Sequence, residues 1–220
     1  MNSRERVLAA ICHKPVDRVP IGFYAIDYDT VEKVLGHETF LRAKARSQIA
    51  FWEGRRDEVV RSWKNDLLEL YKKLPQLDII NLAAMATGHV PPKDYEPDPP
   101  QRLDENTWKD KDGRVYRYSP ITADITIIKD PVAERRSYTL KDFDQQSISE
   151  PDSSIFEVID AVIDVFGGKK FIIGPSNGTS VMVLLGGNYE IGLKAYHTMP
   201  EVVRQAITQQ VLTAEKTELR

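Results

Sequence analysis

The chain has 220 residues, 41% apolar and 29% charged, an ordinary balance for a soluble globular protein with one core or two. Its formal net charge is −3 with both signs interspersed, which excludes a nucleic-acid-binding field. No apolar run is long enough to span a bilayer and no basic-then-apolar leader opens the chain. The single cysteine, Cys12, excludes an internal disulfide and a cysteine-based metal cluster, so the cytoplasm is the expected compartment.

Ser3 is placed to cap a helix over 4–13, with Val7, Leu8 and Ile11 on one face. Lys14-Pro15-Val16-Asp17-Arg18 breaks it, and Val19–Tyr24 is the first strand candidate, with Pro20 near its start. Polar Asp27, Tyr28 and Asp29 follow its end. Thr30–Leu35 reads as a short helix stopped by Gly36. Residues 38–53 and 56–74 carry apolar positions at helical spacing, with Trp52 and Trp63 read as core. Leu77–Ala83 is the second strand. Thr87-Gly88-His89 lies beyond it, and a lone histidine there is more often a loop residue than a ligand.

Residues 91–105 are proline-rich and read as an extended excursion. Thr107-Trp108, the turn Asp110–Gly113 and Val115–Tyr118 form a hairpin signal, and Ile125–Ile128 adds a strand. This block, about 91–150, reads as an inserted antiparallel flap, either a lid or a contact between copies. Ser154 and Glu157 are spaced as a capping box for the next helix, whose buried stripe is Phe156, Ile159, Val162, Ile163 and Phe166. Phe171-Ile172-Ile173 then reads as a buried strand stopped by Gly174-Pro175. Ser176-Asn177-Gly178-Thr179 is a polar turn, and Val181–Leu185 a helical segment closed by Gly186-Gly187. A polar turn between strand and helix is where α/β proteins hold ligands, though most such turns only connect. It departs from the phosphate-loop pattern, with Thr179 where lysine is needed. A short helix runs to His197, Thr198 and Glu201 suggest a second capping box, and a last helix runs to Arg220.

Three strands, each followed by helix, define an α/β fold. The expectation is the amino-terminal part of a longer β/α barrel, because such barrels need eight strands and about 250 residues. A small self-contained α/β sheet is the alternative.

Ser3-Arg4-Glu5-Arg6-Val7-Leu8-Ala9-Ala10 and Lys14-Pro15-Val16-Asp17-Arg18-Val19-Pro20 resemble the opening of the uroporphyrinogen decarboxylase (URO-D) superfamily. That superfamily includes porphyrinogen decarboxylases and corrinoid-linked methyltransferases that methylate coenzyme M. Thr107-Trp108-Lys109-Asp110 with Gly113-Arg114-Val115-Tyr116 is similar to the flap hairpin of the methyltransferase-like branch. Gly174-Pro175, Gly186-Gly187 and Pro200-Glu201-Val202-Val203 resemble the third strand and its following helices. The resemblance implies a partial TIM-type (β/α) barrel, URO-D-like, with residues 1–220 its amino-terminal part and the hairpin flap inserted. It departs from true porphyrinogen decarboxylases in three places. Their Arg-Gln-Ala-Gly run corresponds to Tyr24-Ala25-Ile26-Asp27, their aspartate after the second strand to Ala83-Ala84-Met85, and their tyrosine to Val181-Met182. The methyltransferase branch binds zinc through His and Cys ligands in its carboxyl-terminal half. No ligand set carries over to Cys12, His13, His37, His89 and His197, so no metal or cofactor is expected within this chain, and zinc enters only with a carboxyl-terminal half.

The resemblance therefore implies a methyltransferase-like enzyme moving a methyl group between a corrinoid and a thiol. The alternatives are a uroporphyrinogen decarboxylase and a truncated, non-catalytic binding module. Strand ends nominate Asp27 and His89 as catalytic candidates, and Tyr24, Ser176, Asn177 and Tyr189 as substrate-binding candidates. The expected partners are a small-molecule substrate or a corrinoid protein. Neither nucleic acid nor membrane is expected, and homo-oligomers are compatible with the sequence.

Overall fold

Asn2 rather than Ser3 begins the fold. Its side-chain oxygen accepts from the Glu5 amide at 2.8 Å, while the Glu5 carboxylate accepts from the Asn2 amide at 2.9 Å. This reciprocal pair satisfies two orphan donors of the first helix. The computed structural model describes residues 1–85, 87–131, 138–143, 151–175 and 189–218. In chain order, α1 (Ser3–Ile11), α2 (Tyr28–Leu35), α3 (Lys44–Trp52) and α4 (Arg56–Lys73) precede the strands β1 (Ile79–Asn81), β2 (Gln101–Arg102), β3 (Thr107–Lys109), β4 (Val115–Ser119) and β5 (Asp124–Lys129). Then come α5 (Glu157–Phe166), β6 (Phe171–Ile173), α6 (Tyr189–Thr198) and α7 (Pro200–Glu218). Helices, a small parallel sheet and an antiparallel sheet make a mixed α/β protein.

The chain divides into two units. The first comprises Met1–Pro100, Tyr118–Thr126 and Asp152–Pro175. Its parallel sheet pairs β1 with β6, Ile80 opposite Ile172. On the other side of β1 the predicted first strand survives as one parallel bridge, Gly22 to Ile79. Pro20 lacks an amide, and Val19, Ile21, Phe23 and Tyr24 are all exposed, so this segment lies on the surface. Gly22 is needed there, because a Cβ on it would lie 2.7 Å from Ile79 Cβ. β6 is partly exposed rather than buried on both faces, since the described sheet is only this wide.

The core gathers on α4. Val59, Val60, Trp63, Leu67, Leu70 and Tyr71 are buried at helical spacing and meet Val158, Val162 and Phe166 of α5, with Ile80 of β1. Trp63 is core as predicted, whereas Trp52 is only half-buried. The predicted capping box at Ser154 is replaced: Asp152 accepts from the Ser154 amide at 2.7 Å over a 3₁₀ turn, Ser153–Phe156. Glu157 instead pairs with the buried Arg56 at 2.7 Å.

Four charges tie α1 to β1. Fully buried Asp78 accepts from Arg6 Nη1 and Arg18 Nη1, both at 2.6 Å, and from the Ile21 amide at 2.8 Å. Arg6 also donates to Asp17 at 2.6 Å. The charged residues of the opening motif are thus an anchor for the sheet's amino end.

The second unit comprises Gln101–Arg117, Ile127–Pro151 and Ser176–Arg220. The predicted hairpin forms, with Trp108 opposite Tyr116 in an antiparallel sheet ordered β2-β3-β4-β5. Asp110 closes its turn by accepting from the Asp112 and Arg114 amides at 3.0 and 2.8 Å. A separate small core joins Phe143, Ala195, Val202, Val203 and Ala206. Thr198 donates to the Lys194 carbonyl at 3.0 Å, in place of the predicted capping box.

Candidate functional site

The carboxyl ends of the parallel segments converge within the first unit. Leu82 donates to the Ile173 carbonyl at 2.9 Å, and the Asn81 side chain accepts from the Ala84 amide at 3.1 Å. The chain turns there, so that Thr87-Gly88-His89 lies against the end of β6. A Cβ on Gly88 would meet Pro175 Cβ at 2.5 Å, so only glycine allows this approach. Thr87 is fully buried and its hydroxyl has no hydrogen-bond partner among the described residues. The His89 ring stands edge-on to Phe156, centroids 5.3 Å apart.

One further side chain reaches these ends from the loop between α2 and α3. Arg42 Nη1 donates to the Ala84 carbonyl and Nη2 to Asp27 Oδ1, each at 3.0 Å. Its backbone is left-handed at φ 63°, costly for a residue with a Cβ, and its Nε is buried with no partner among the described residues. The loop is held on every side. Buried Asp66 accepts from the Thr39 and Ser62 hydroxyls, Ser62 Oγ accepts from the Phe40 amide at 3.1 Å, and the Thr39 hydroxyl accepts from the Leu41 amide at 2.9 Å. The Phe40 carbonyl takes Trp63 Nε1 and Ser47 Oγ, both at 2.9 Å. Arg46 spans Glu32 Oε1 at 2.8 Å and the Thr39 carbonyl at 2.7 Å. Such over-determination lets a strained conformation persist. At the loop's rim the His37 imidazole is raised above its ordinary range, first by the Glu38 carbonyl and then by Asp66 and Glu69.

Arg42 and Lys44 line two clefts. The larger, about 720 Å³, is lined by Asp27, Asp29, Thr122, Asp124 and Thr126 besides the two cations. Its charges are paired: Lys44 reaches Asp124 at 2.7 Å and Lys33 reaches Asp29 at 3.1 Å. The smaller, about 170 Å³, is lined by Phe40, Phe51, Trp63, Met85, Ser47 and Gln48 with Arg42 and Lys44.

Of the predicted site residues, Asp27 is where its spacing puts it, at the start of α2 and bound by Arg42, its side chain 76% exposed. Tyr24 points into solvent, 82% exposed, and is not part of either cleft. His89 lies beyond β1 but packs on Phe156. Ser176 and Asn177 lie outside the described residues, and Tyr189 opens α6 with no side-chain description. The sequence reading missed Arg42 and Lys44. No local signal marks them, because Arg42 meets Asp27 and Ala84, 15 and 42 residues away, and Lys44 meets Asp124, 80 residues away. Among the described residues no three His, Cys, Asp or Glu side chains are grouped to hold a metal. No described helix is long and apolar enough to cross a membrane. No family model, curated protein or solved structure matches this chain.

Proposed function

We propose that the chain is part of a URO-D-like β/α barrel of the methyltransferase-like branch, and that it moves a methyl group between a corrinoid and a thiol. The observation that carries this reading is the parallel order Gly22 segment, β1, β6, which follows the chain as barrel strands do, with Asp27 and Arg42 joined at its carboxyl ends. In the reaction the carbon–cobalt bond breaks with both electrons left on cobalt, and a sulfur–carbon bond forms. The thiol proton needs an acceptor, and Asp27 is the exposed carboxylate at the strand ends. Arg42 orients it, and the larger cleft beside both has room for a small thiol.

The test mixes the protein with methylcobalamin and a series of thiols, following corrinoid absorbance and the thioether by mass spectrometry. Thioether formation is expected, with Asp27→Asn slowing it about 10²-fold, the scale of a lost general base. Absence of transfer to every thiol removes the reading. Arg42 favours a second reading, since a guanidinium at the strand ends suits substrate carboxylates. Coproporphyrinogen formed from uroporphyrinogen would select that decarboxylase instead.

A further inference from the structure

The smaller cleft shares Arg42 with the proposed reactions, but its apolar wall takes part in neither. Its two charged lining groups are both cations, Arg42 and Lys44, and no acidic residue lines it. Opposite them stand Phe40, Phe51, Trp63 and Met85, with Phe51 and Trp63 edge-to-face at 5.8 Å. The apolar walls are fixed, because Trp63 is buried in the α4 stripe and its Nε1 is held by the Phe40 carbonyl. The cationic end is fixed too, because Arg42 is anchored on Ala84 and its loop is pinned from Glu32, Ser62 and Asp66. Each Nη of Arg42 makes one of the two hydrogen bonds it can donate, so the guanidinium has donor capacity to spare. The contact with Asp27 already has a carboxylate on this guanidinium, and that carboxylate sits mostly in water, where exchange for another is easy. A volume of about 170 Å³ is close to that of an apolar cavity, about 150 Å³, known to hold one benzene ring.

We propose that this cleft binds a small amphipathic carboxylate, one ring or a short aliphatic chain in size. Its oxyanion lies on Arg42 and Lys44, and its apolar body lies against Phe51, Trp63 and Met85. Cation and wall together select it: a carboxylate can take the place of Asp27 and Asp124 on the cations, an alcohol of the same shape cannot, and an amine is repelled. Binding is read without turnover, so a failure of this proposal and a failure of methyl transfer are distinguishable.

The experiment titrates the intact protein with benzoate, benzyl alcohol and benzylamine, read by calorimetry and tryptophan fluorescence. Benzoate is expected to saturate, with the alcohol at least about tenfold weaker and the amine silent, the scale of one charge-assisted hydrogen bond. Arg42→Gln is expected to weaken benzoate by about tenfold or more. Arg42 also holds a backbone carbonyl, so Lys44→Gln serves as the second variant: its side chain is 52% exposed, which makes unfolding no explanation for lost affinity. A benzoate isotherm that fails to saturate below about 10 mM overturns the proposal. So does equal affinity for benzoate and benzyl alcohol, or benzoate affinity unchanged in folded Arg42→Gln and Lys44→Gln.

Discussion

Asp78 shows how a buried charge is held. Burial pushes its carboxyl up, but the Arg18 guanidinium, the Ile21 amide, Ser3 and Arg6 together pull it down to about 2. Asp17 is likewise lowered, chiefly by its hydrogen bond from Arg6. A carboxyl whose folded value lies below its unfolded value contributes stability above the unfolded value and loses it as pH falls through the folded one. Urea unfolding measured from pH 7 to pH 2 is therefore expected to lose stability from about pH 5 downward. Asp78→Asn is expected to flatten that acid slope in part, Asp17 retaining its share, and to destabilise at pH 7 by about 1–3 kcal/mol, since the Ile21 amide and the buried Arg6 would lose a charged acceptor. An unchanged slope would remove the linkage. Nothing in the string Lys-Pro-Val-Asp-Arg marks Asp17 and Arg18 as anchors, because their partners Arg6 and Asp78 lie 11 and 60 residues away.

At the scale of elements, the helices, the hairpin and the strand Phe171–Ile173 were legible, whereas the extent of the first strand was not. Gly36 ends α2 at φ 87°, donating to the Glu32 carbonyl at 2.7 Å, as its place after an apolar turn suggested. The α4 stripe was equally plain, because one buried face repeats locally every turn. Leu67, fully buried in that stripe, gives the prediction for this scale: Leu67→Ala should cost about 2–5 kcal/mol in urea unfolding, and a loss under about 1 kcal/mol would place the core elsewhere. Strand length depends on neighbours instead. Val19–Tyr24 has the apolar content of a strand, yet pairs at one bridge only, with Pro20 missing a donor and Gly22 pressed against Ile79. The start of α1 moved from Ser3 to Asn2 for a similar reason, since both residues can cap and only Asn2 has Glu5 at the reciprocal spacing.

At the scale of the whole molecule, two hydrophobic cores among the described residues share no residue, one around α4 and one around Phe143, α6 and α7. Burying a charge in one should leave the other standing. Val203→Asp is expected to erase amide-exchange protection in α6 and α7 while α4 keeps its own; loss of both together would make the chain one cooperative body. The sequence by itself determined the described helices and the flap hairpin, because each rests on contacts between near neighbours in the chain. Tertiary structure decided the rest. It brought Arg42 to Asp27 and Ala84 and gathered Phe51, Trp63 and Met85 around one cleft. It also turned an opening motif into an ion-paired clamp on β1. These pairings join residues from 15 to 72 positions apart, a separation that no local pattern records.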